Sequence, residues 1–199
     1  MQVETINLLF EKFDFKSYLE IGVSEPAYNF NKINAIVKHG VEPHYDGTYA
    51  YRMASDEFFE KWAKDLKYDV IFIDGFHEED QVYKDGRNAL RHLNKNGFIL
   101  FHDCNPLLEE HTVLHKDYKL GIWNGTAYKA FLRKKSSLPN WSCFVVEEPG
   151  MAIITYRPIL ENKIYSGYIN NWTDFDNNRK EILQLISFEE YKALINGAT

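Results

Sequence analysis

Two acidic residues and two histidines stand close together in pairs, Asp74 with His77 and His102 with Asp103, and each pair directly follows an apolar run. Imidazole titrates near neutral pH and can take a proton from an oxygen or nitrogen nucleophile. His77 and His102 are therefore candidate bases, with His77 preferred. For His102, a cap or a bond to a neighbouring carboxylate is an equally good reading. The carboxylates Asp74 and Asp103 are hard oxygen ligands that suit Mg2+ or another divalent cation, which would lower the pKa of a hydroxyl beside it. The third ligand is open between Asn105 and His102. His111 and His115 have the i, i+4 spacing of a metal site on a helix, but without a companion motif a solvated polar loop is the better reading.

A second set lies near the start of the chain. Gly22 ends another apolar run and lets the backbone turn sharply towards a ligand, while Glu42, about twenty residues later, suits a ribose diol. In Gly22-Val23-Ser24-Glu25-Pro26-Ala27 the second and third glycines of the dinucleotide fingerprint are missing. Pyrophosphate binding is disfavoured, and with it a nicotinamide-dependent oxidoreductase.

Residues so far apart can act together only if the chain returns repeatedly to one edge. Tyr18-Leu19-Glu20-Ile21, Tyr68 to Asp74 and Phe98-Ile99-Leu100-Phe101 read as buried strands. Val3, Ile6, Leu9, Phe10 and Phe13 predict a helix before the first strand. Phe30, Ile33, Ile36 and Val37 predict another after it, started near Pro26. Gly40-Val41-Glu42-Pro43 and Tyr51-Arg52-Met53 read as short second and third strands, followed by helices over Asp56 to Lys64, around Val82 to Leu93, and from Tyr128 to Lys135. Cys143 to Val146 and Met151 to Tyr156 flank Glu147-Glu148-Pro149-Gly150, a hairpin turn that makes the last strand antiparallel. In such an α/β sheet, ligands lie beyond the carboxyl ends of the strands. That places Glu20 to Ser24, Glu42, Met53 to Asp56, Asp74 to His77 and His102 to Asn105 along one crevice.

With 199 residues, 45% hydrophobic and 26% charged, one domain over 1–199 is expected, a core of 1–158 with a helical extension over 159–199. Tyr165, Tyr168, Trp172, Phe175, Leu183, Leu185, Ile186, Phe188 and Tyr191 give the extension apolar faces for the sheet or for a second copy in a homodimer. A net charge of -6 argues against a nucleic-acid partner. The lack of a long apolar run or signal-like start argues against a membrane, and Cys104 and Cys143 read as free thiols of a reducing compartment, so a cytoplasmic location is expected. Trp123, Tyr128, Trp141 and Trp172 are candidates for an acceptor pocket, though core is the commoner fate. Arg133-Lys134-Lys135 reads as the charged end of a helix.

The segments Tyr18-Leu19-Glu20-Ile21-Gly22-Val23, Phe72-Ile73-Asp74-Gly75-Phe76-His77 and Gly97 to Pro106, in this order, resemble the class I S-adenosylmethionine-dependent methyltransferases, in particular methyltransferase family 24. Asn124-Gly125, the turn at Pro149-Gly150, and Asn178 to Glu181 followed by Leu185-Ile186-Ser187 add to the likeness. The resemblance implies a Rossmann-like seven-stranded sheet with an antiparallel final hairpin and helices on both faces. It places Glu20, Gly22 and Ser24 at the methionine end of S-adenosylmethionine, Glu42 at the ribose, Ser55 and Asp56 by the adenine and Asp74 facing the reactive methyl, with Val23 and Gly75 also among the cofactor-binding residues. Pro26 stands where such families often carry another glycine, which bears on cofactor affinity. Thr126-Ala127-Tyr128 replaces Asp-Val-Trp, which bears on the acceptor. The implied activity is O-methylation of a small hydroxylated acceptor such as a sugar. The alternative is a non-catalytic cofactor-binding or scaffold protein.

Overall fold

The structure is a computed structural model that describes residues 1–44, 51–148 and 150–198. Its elements run α1 (Gln2–Phe13), β1 (Ser17–Ile21), β2 (Val37–Val41), α2 (Ser55–Lys61), β3 (Tyr68–Ile73), α3 (Glu79–His92), β4 (Leu93–Phe101), α4 (Ala127–Ser137), β5 (Ser142–Val146), β6 (Met151–Thr155), α5 (Trp172–Leu183), β7 (Leu185–Ile186) and α6 (Phe188–Gly197). The seven strands form one sheet in the order β2-β1-β3-β4-β6-β5-β7. Only β6 runs against the rest: it pairs antiparallel with both β4 and β5, while the other pairings are parallel. The Rossmann-like sheet and its hairpin are as the sequence predicts.

Side chains alternate across each strand, so every strand feeds both faces. On one face Leu19, Ile71, Ile73, Ile99 and Phe101 pack with Phe58 of α2, Ala89 of α3, Phe131 of α4 and Phe175 and Leu183 of α5. On the other, Tyr18, Val70, Phe72, Phe98 and Leu100 pack with Ile6 and Leu9 of α1 and with Tyr191 and Ile195 of α6. Burial on both faces is why the strands read as continuous apolar runs. The extension thus covers both faces of its own sheet.

Three expectations are corrected. No helix follows Pro26; Phe30–Lys32 is a single 3-10 turn, and Val37, expected to close a helix, opens β2 three residues ahead of the predicted strand. Phe30 and Ile33 are buried three residues apart, a spacing that a 3-10 turn satisfies as well as an α-helix, and α1 occupies the adjoining sheet face. Tyr51 to Met53 form no strand beyond an isolated bridge between Tyr51 and Val41. The seventh strand is instead Leu185–Ile186, parallel to β5. Arg133-Lys134-Lys135 falls towards the end of α4 as expected, with both lysines in its last turn. Lys134 and Lys135 are buried, with the Lys134 Nζ 4.1 Å from the Tyr83 ring centroid and the Lys135 Nζ donating to the Cys143 carbonyl and to Gln184 Oε1. The expected turn residue Pro149 lies outside the described residues.

Candidate active site

Strand register decides which residues meet. Val41, Ile21, Ile73 and Phe101 lie side by side across β2, β1, β3 and β4. The next residue on each strand is Glu42, Gly22, Asp74 and His102, so four segments separated in sequence open onto one rim. They border a cavity of about 790 Å³. The candidate cofactor residues, bases and paired carboxylates line it, Glu20, Gly22, Val23, Ser24, Glu42, Ser55, Asp56, Asp74, Gly75, His77, His102 and Asp103, whereas Met53, Cys104 and Asn105, expected along the same crevice, do not.

At one end Glu20 is buried. Its Oε2 accepts hydrogen bonds from the Tyr18 hydroxyl at 2.6 Å and from Asn29 Nδ2 at 2.8 Å. Burial pushes its pKa up to about 8, because those two bonds only partly offset the loss of water. The Asn29 Oδ1 is buried in the same wall without a hydrogen-bond partner. Together they form an acceptor pair fitted to an ammonium group. Next along the rim, Glu42 Oε2 accepts from the Ser24 backbone N–H at 3.3 Å and its Oε1 from that of His44 at 2.8 Å. Its carboxylate is therefore held at the mouth of the Gly22 loop. The far end holds Ser55 and Asp56 at the start of α2, bridged to α3 by Gln81, whose Nε2 donates to Ser55 Oγ, Asp56 Oδ1 and Asp85 Oδ1. Burial raises the Asp85 carboxyl to about 7 against its bonds to Ser55 and Gln81.

The acid and imidazole pairs form a single cluster. His77 Nδ1 lies 2.9 Å from Asp103 Oδ2 and its Nε2 3.3 Å from Asp74 Oδ1. His102 Nδ1 lies 3.1 Å from Asp74 Oδ1 and 3.4 Å from Asp103 Oδ2. Burial alone would lower both imidazoles, yet the two carboxylates outweigh it, raising His77 to about 10 and His102 well above its ordinary value. Burial conversely pushes both aspartates up, and the imidazolium groups hold them below the usual carboxylate range. Asp74, His102 and Asp103 each present one ligand atom within 4.8 Å of the others, a set of two carboxylates and one imidazole that fits a divalent cation. Asn105, the other candidate ligand, lines the neighbouring cavity rather than this one and donates from Nδ2 to the Glu147 carbonyl.

A loop not singled out for this role fixes His77. Trp123 lies on the His77 ring, with centroids 5.1 Å apart and planes 18° from parallel. Thr126 N–H donates to the His77 carbonyl at 2.7 Å, and Gly125, at φ +58°, leaves no space for a Cβ, which would stand 2.3 Å from that same oxygen. Asn124 Nδ2 donates to Asp103 Oδ1 at 2.7 Å. The Thr126 hydroxyl accepts from Glu79 N–H at the start of α3, a backbone-capping role that an Asp at this position could also fill. Of the four aromatics proposed for the pocket, only Trp123 lines it. Tyr128 and Trp172 pack on Phe175, and Trp141 on Tyr156. Asn29, Gln81 and Asp85 also line the cavity unforeseen. Asp85 did leave a signal: an acid on the apolar stripe of α3, between Val82 and Ala89. His111 and His115 fall in two separate 3-10 turns, so no helix aligns them.

Residues 19–104, from β1 through β4, match a family described as a methyltransferase domain. No curated protein matches the sequence. Among solved structures the chain is similar to a Klebsiella pneumoniae protein provisionally described as an O-methyltransferase, at 16% identity and TM-score 0.56 over 77% of this chain and 79% of that one. It is similar to the Bacillus cereus O-methyltransferase in complex with S-adenosylhomocysteine, at 14% identity and TM-score 0.53 over 77% and 80%. It also resembles the MycE methyltransferase of the mycinamycin biosynthetic pathway, in complex with Mg and S-adenosylhomocysteine, at 14% identity and TM-score 0.51 over 84% of this chain and 52% of that one. At such identities the shared property is the fold.

Proposed function

We propose, from the premise that this chain carries a class I S-adenosylmethionine-dependent methyltransferase domain, that it transfers the methyl group to a hydroxyl of a small acceptor such as a sugar. One observation carries the reading: the Gly22 and Glu42 rim and the Asp74, His77, His102 and Asp103 cluster border one cavity. The Bacillus cereus and MycE structures, with S-adenosylhomocysteine bound to the same fold, support it. So does the family match over residues 19–104.

In this reading Glu20, Asn29 and Ser24 hold the methionine end, Glu42 the ribose hydroxyls, and Ser55 and Asp56 the adenine. The Asn29 Oδ1, buried and unpartnered, is the observation that a donor-bearing group belongs there. S-adenosylmethionine supplies an electrophilic methyl when bound. The chain's task is to align the acceptor and remove its proton, since transfer to a hydroxyl is an in-line displacement that leaves a proton behind. His77 takes that proton at Nε2, while Asp103 accepts from its Nδ1 and fixes the ring. Asp74, His102 and Asp103 suit Mg2+ or another divalent cation, which would acidify the acceptor hydroxyl and offset the carboxylate charge that keeps His77 protonated. MycE, in complex with Mg on the same fold, supports a divalent cation in this reading. Residues 1–199 act as one domain in this account, since α5 and α6 pack on opposite faces of the sheet that the core forms. The free, buried Cys104 and Cys143 suit a cytoplasmic setting. No helix among the described residues is long and apolar enough to cross a membrane.

Calorimetry with S-adenosylmethionine, S-adenosylhomocysteine and NAD tests the reading. Binding of the first two alone supports it. Binding of neither removes it, and binding without turnover on any hydroxylated acceptor favours the non-catalytic alternative.

A further inference from the structure

A second cavity of about 430 Å³ meets the first at Asp103, which lines both. Its other walls include Asn105, Leu107, His111, Ile122, Asn124, Glu147 and Glu148. Among the described residues that line it there is no Lys or Arg. Asp103 is the partition. Its Oδ2 faces the two histidines, and its Oδ1 is held by Asn124 Nδ2 at 2.7 Å.

Asn105 is nine-tenths buried in this wall. Its Nδ2 donates to the Glu147 carbonyl at 3.1 Å, which sets the orientation of the amide and leaves Oδ1 buried with no hydrogen-bond partner. A buried acceptor left unpaired costs free energy that a ligand donor recovers. Beside it Glu148 is exposed at the rim, adding negative charge to a lining that already holds the Asp103 carboxylate and the Asn105 oxygen, with His111 as its one imidazole. Glu147 also borders a different cavity with Arg179 and Lys180, which leaves Glu148 as the carboxylate belonging to this one alone. The apolar side chains of Leu107 and Ile122 complete the mouth with carbon surface. A ligand complementary to these walls has a carbon frame, several O–H or N–H donors and a positive charge.

We propose that this second cavity is an acceptor subsite for a protonated amine, so that the molecule methylated is a hydroxylated amine, with its ammonium against Asn105 Oδ1 and Glu148 and its hydroxyl across Asp103 at His77. The inference rests on the methyl-transfer reading and names the substrate class for that site.

The test uses the whole chain in two steps. S-adenosylhomocysteine binding is measured first by calorimetry, and glucosamine and glucose are then titrated in turn into the loaded protein, with binding followed by saturation-transfer NMR. Glucosamine is expected to bind about fivefold more tightly than glucose, the upper range for a single exposed ion pair. The preference should vanish in Glu148→Gln, reverse in Glu148→Lys, and shrink in 0.5 M NaCl. Equal affinity for the two sugars, binding of neither, or a preference that survives Glu148→Lys overturns the subsite. Failure of S-adenosylhomocysteine to bind counts against the methyl-transfer reading instead, and the sugar comparison, repeated on the unloaded protein, still decides the subsite.

Discussion

Gly22 and Asp74 touch so closely that a Cβ on Gly22 would stand 2.1 Å from the Asp74 carbonyl oxygen. The contact follows from parallel pairing of β1 and β3, which ends with the Asp74 N–H donating to the Ile21 carbonyl at 2.8 Å. Gly22 also sits at φ +87°, where L side chains are strained. Gly22→Ala must therefore push the two strand ends apart. S-adenosylhomocysteine affinity is expected to fall at least about tenfold, with a stability loss of about 1–3 kcal/mol, typical of a strained backbone position. Calorimetry and thermal melts measure both. Unchanged affinity would separate the rim from the cofactor.

His77→Gln keeps a hydrogen-bonding side chain near Asp103 but removes the base. Turnover is expected to fall by about 10²–10⁴-fold, the usual share of general base catalysis, while S-adenosylhomocysteine binding stays within about twofold. Wild-type rates in this variant would shift the role to another group.

Trp123→Ala removes the ring that holds His77 flat while leaving the loop backbone in place. A misdirected base costs rate through alignment, so kcat is expected to drop about tenfold and its pH profile to shift, with Trp123→Phe restoring most of both. A drop in Trp123→Ala with an unaltered pH profile would mean the ring serves packing only.

Glu20 and Asp85 give the free protein a pH signature. Both carboxyls have folded pKa values above their unfolded ones, about 8 and about 7 against ordinary values of 4.5 and 3.8. The folded state thus holds protons that the unfolded state releases. Their stabilising contribution is complete below about pH 4 and is lost as pH rises through 7 to 8. Melting temperature should decline over pH 5 to 9, and less steeply in Glu20→Gln. An ammonium group docking beside Glu20 should also expel its proton, so that S-adenosylmethionine binding at pH 7 releases protons, measured by calorimetry in buffers of different ionisation enthalpy.

Mn2+ titrated into the protein is expected to bind at the Asp74, His102 and Asp103 set, with Asp103→Asn weakening it at least about tenfold and a chelator slowing turnover. Equal Mn2+ affinity in the wild type and Asp103→Asn would place the ion elsewhere.

The strand ends were legible because a fully buried parallel strand announces itself twice, by an unbroken apolar run and by the polar residue where the run stops, as at Ile73-Asp74 and Phe101-His102. Glu20 was harder, since only the fold shows that Tyr18 and Asn29 surround it. The path from β1 to β2 misled because Phe30 and Ile33 satisfy a 3-10 turn as well as a helix. The grip of Trp123 on His77 joins residues 46 apart in sequence, a contact that neither period nor local propensity encodes. Leu185–Ile186 is two residues long, and what makes it a strand is the open side of β5 beside it.

The β7 pairing closes part of the sheet's outer edge. The Glu147 N–H donates to the Ile186 carbonyl and the Val145 N–H to that of Gln184, so part of the outer margin of the sheet is already engaged by the chain's own tail. A chain ending at residue 158 would leave those β5 groups bare, a template on which a second molecule can add its own strand, and such a fragment should self-associate.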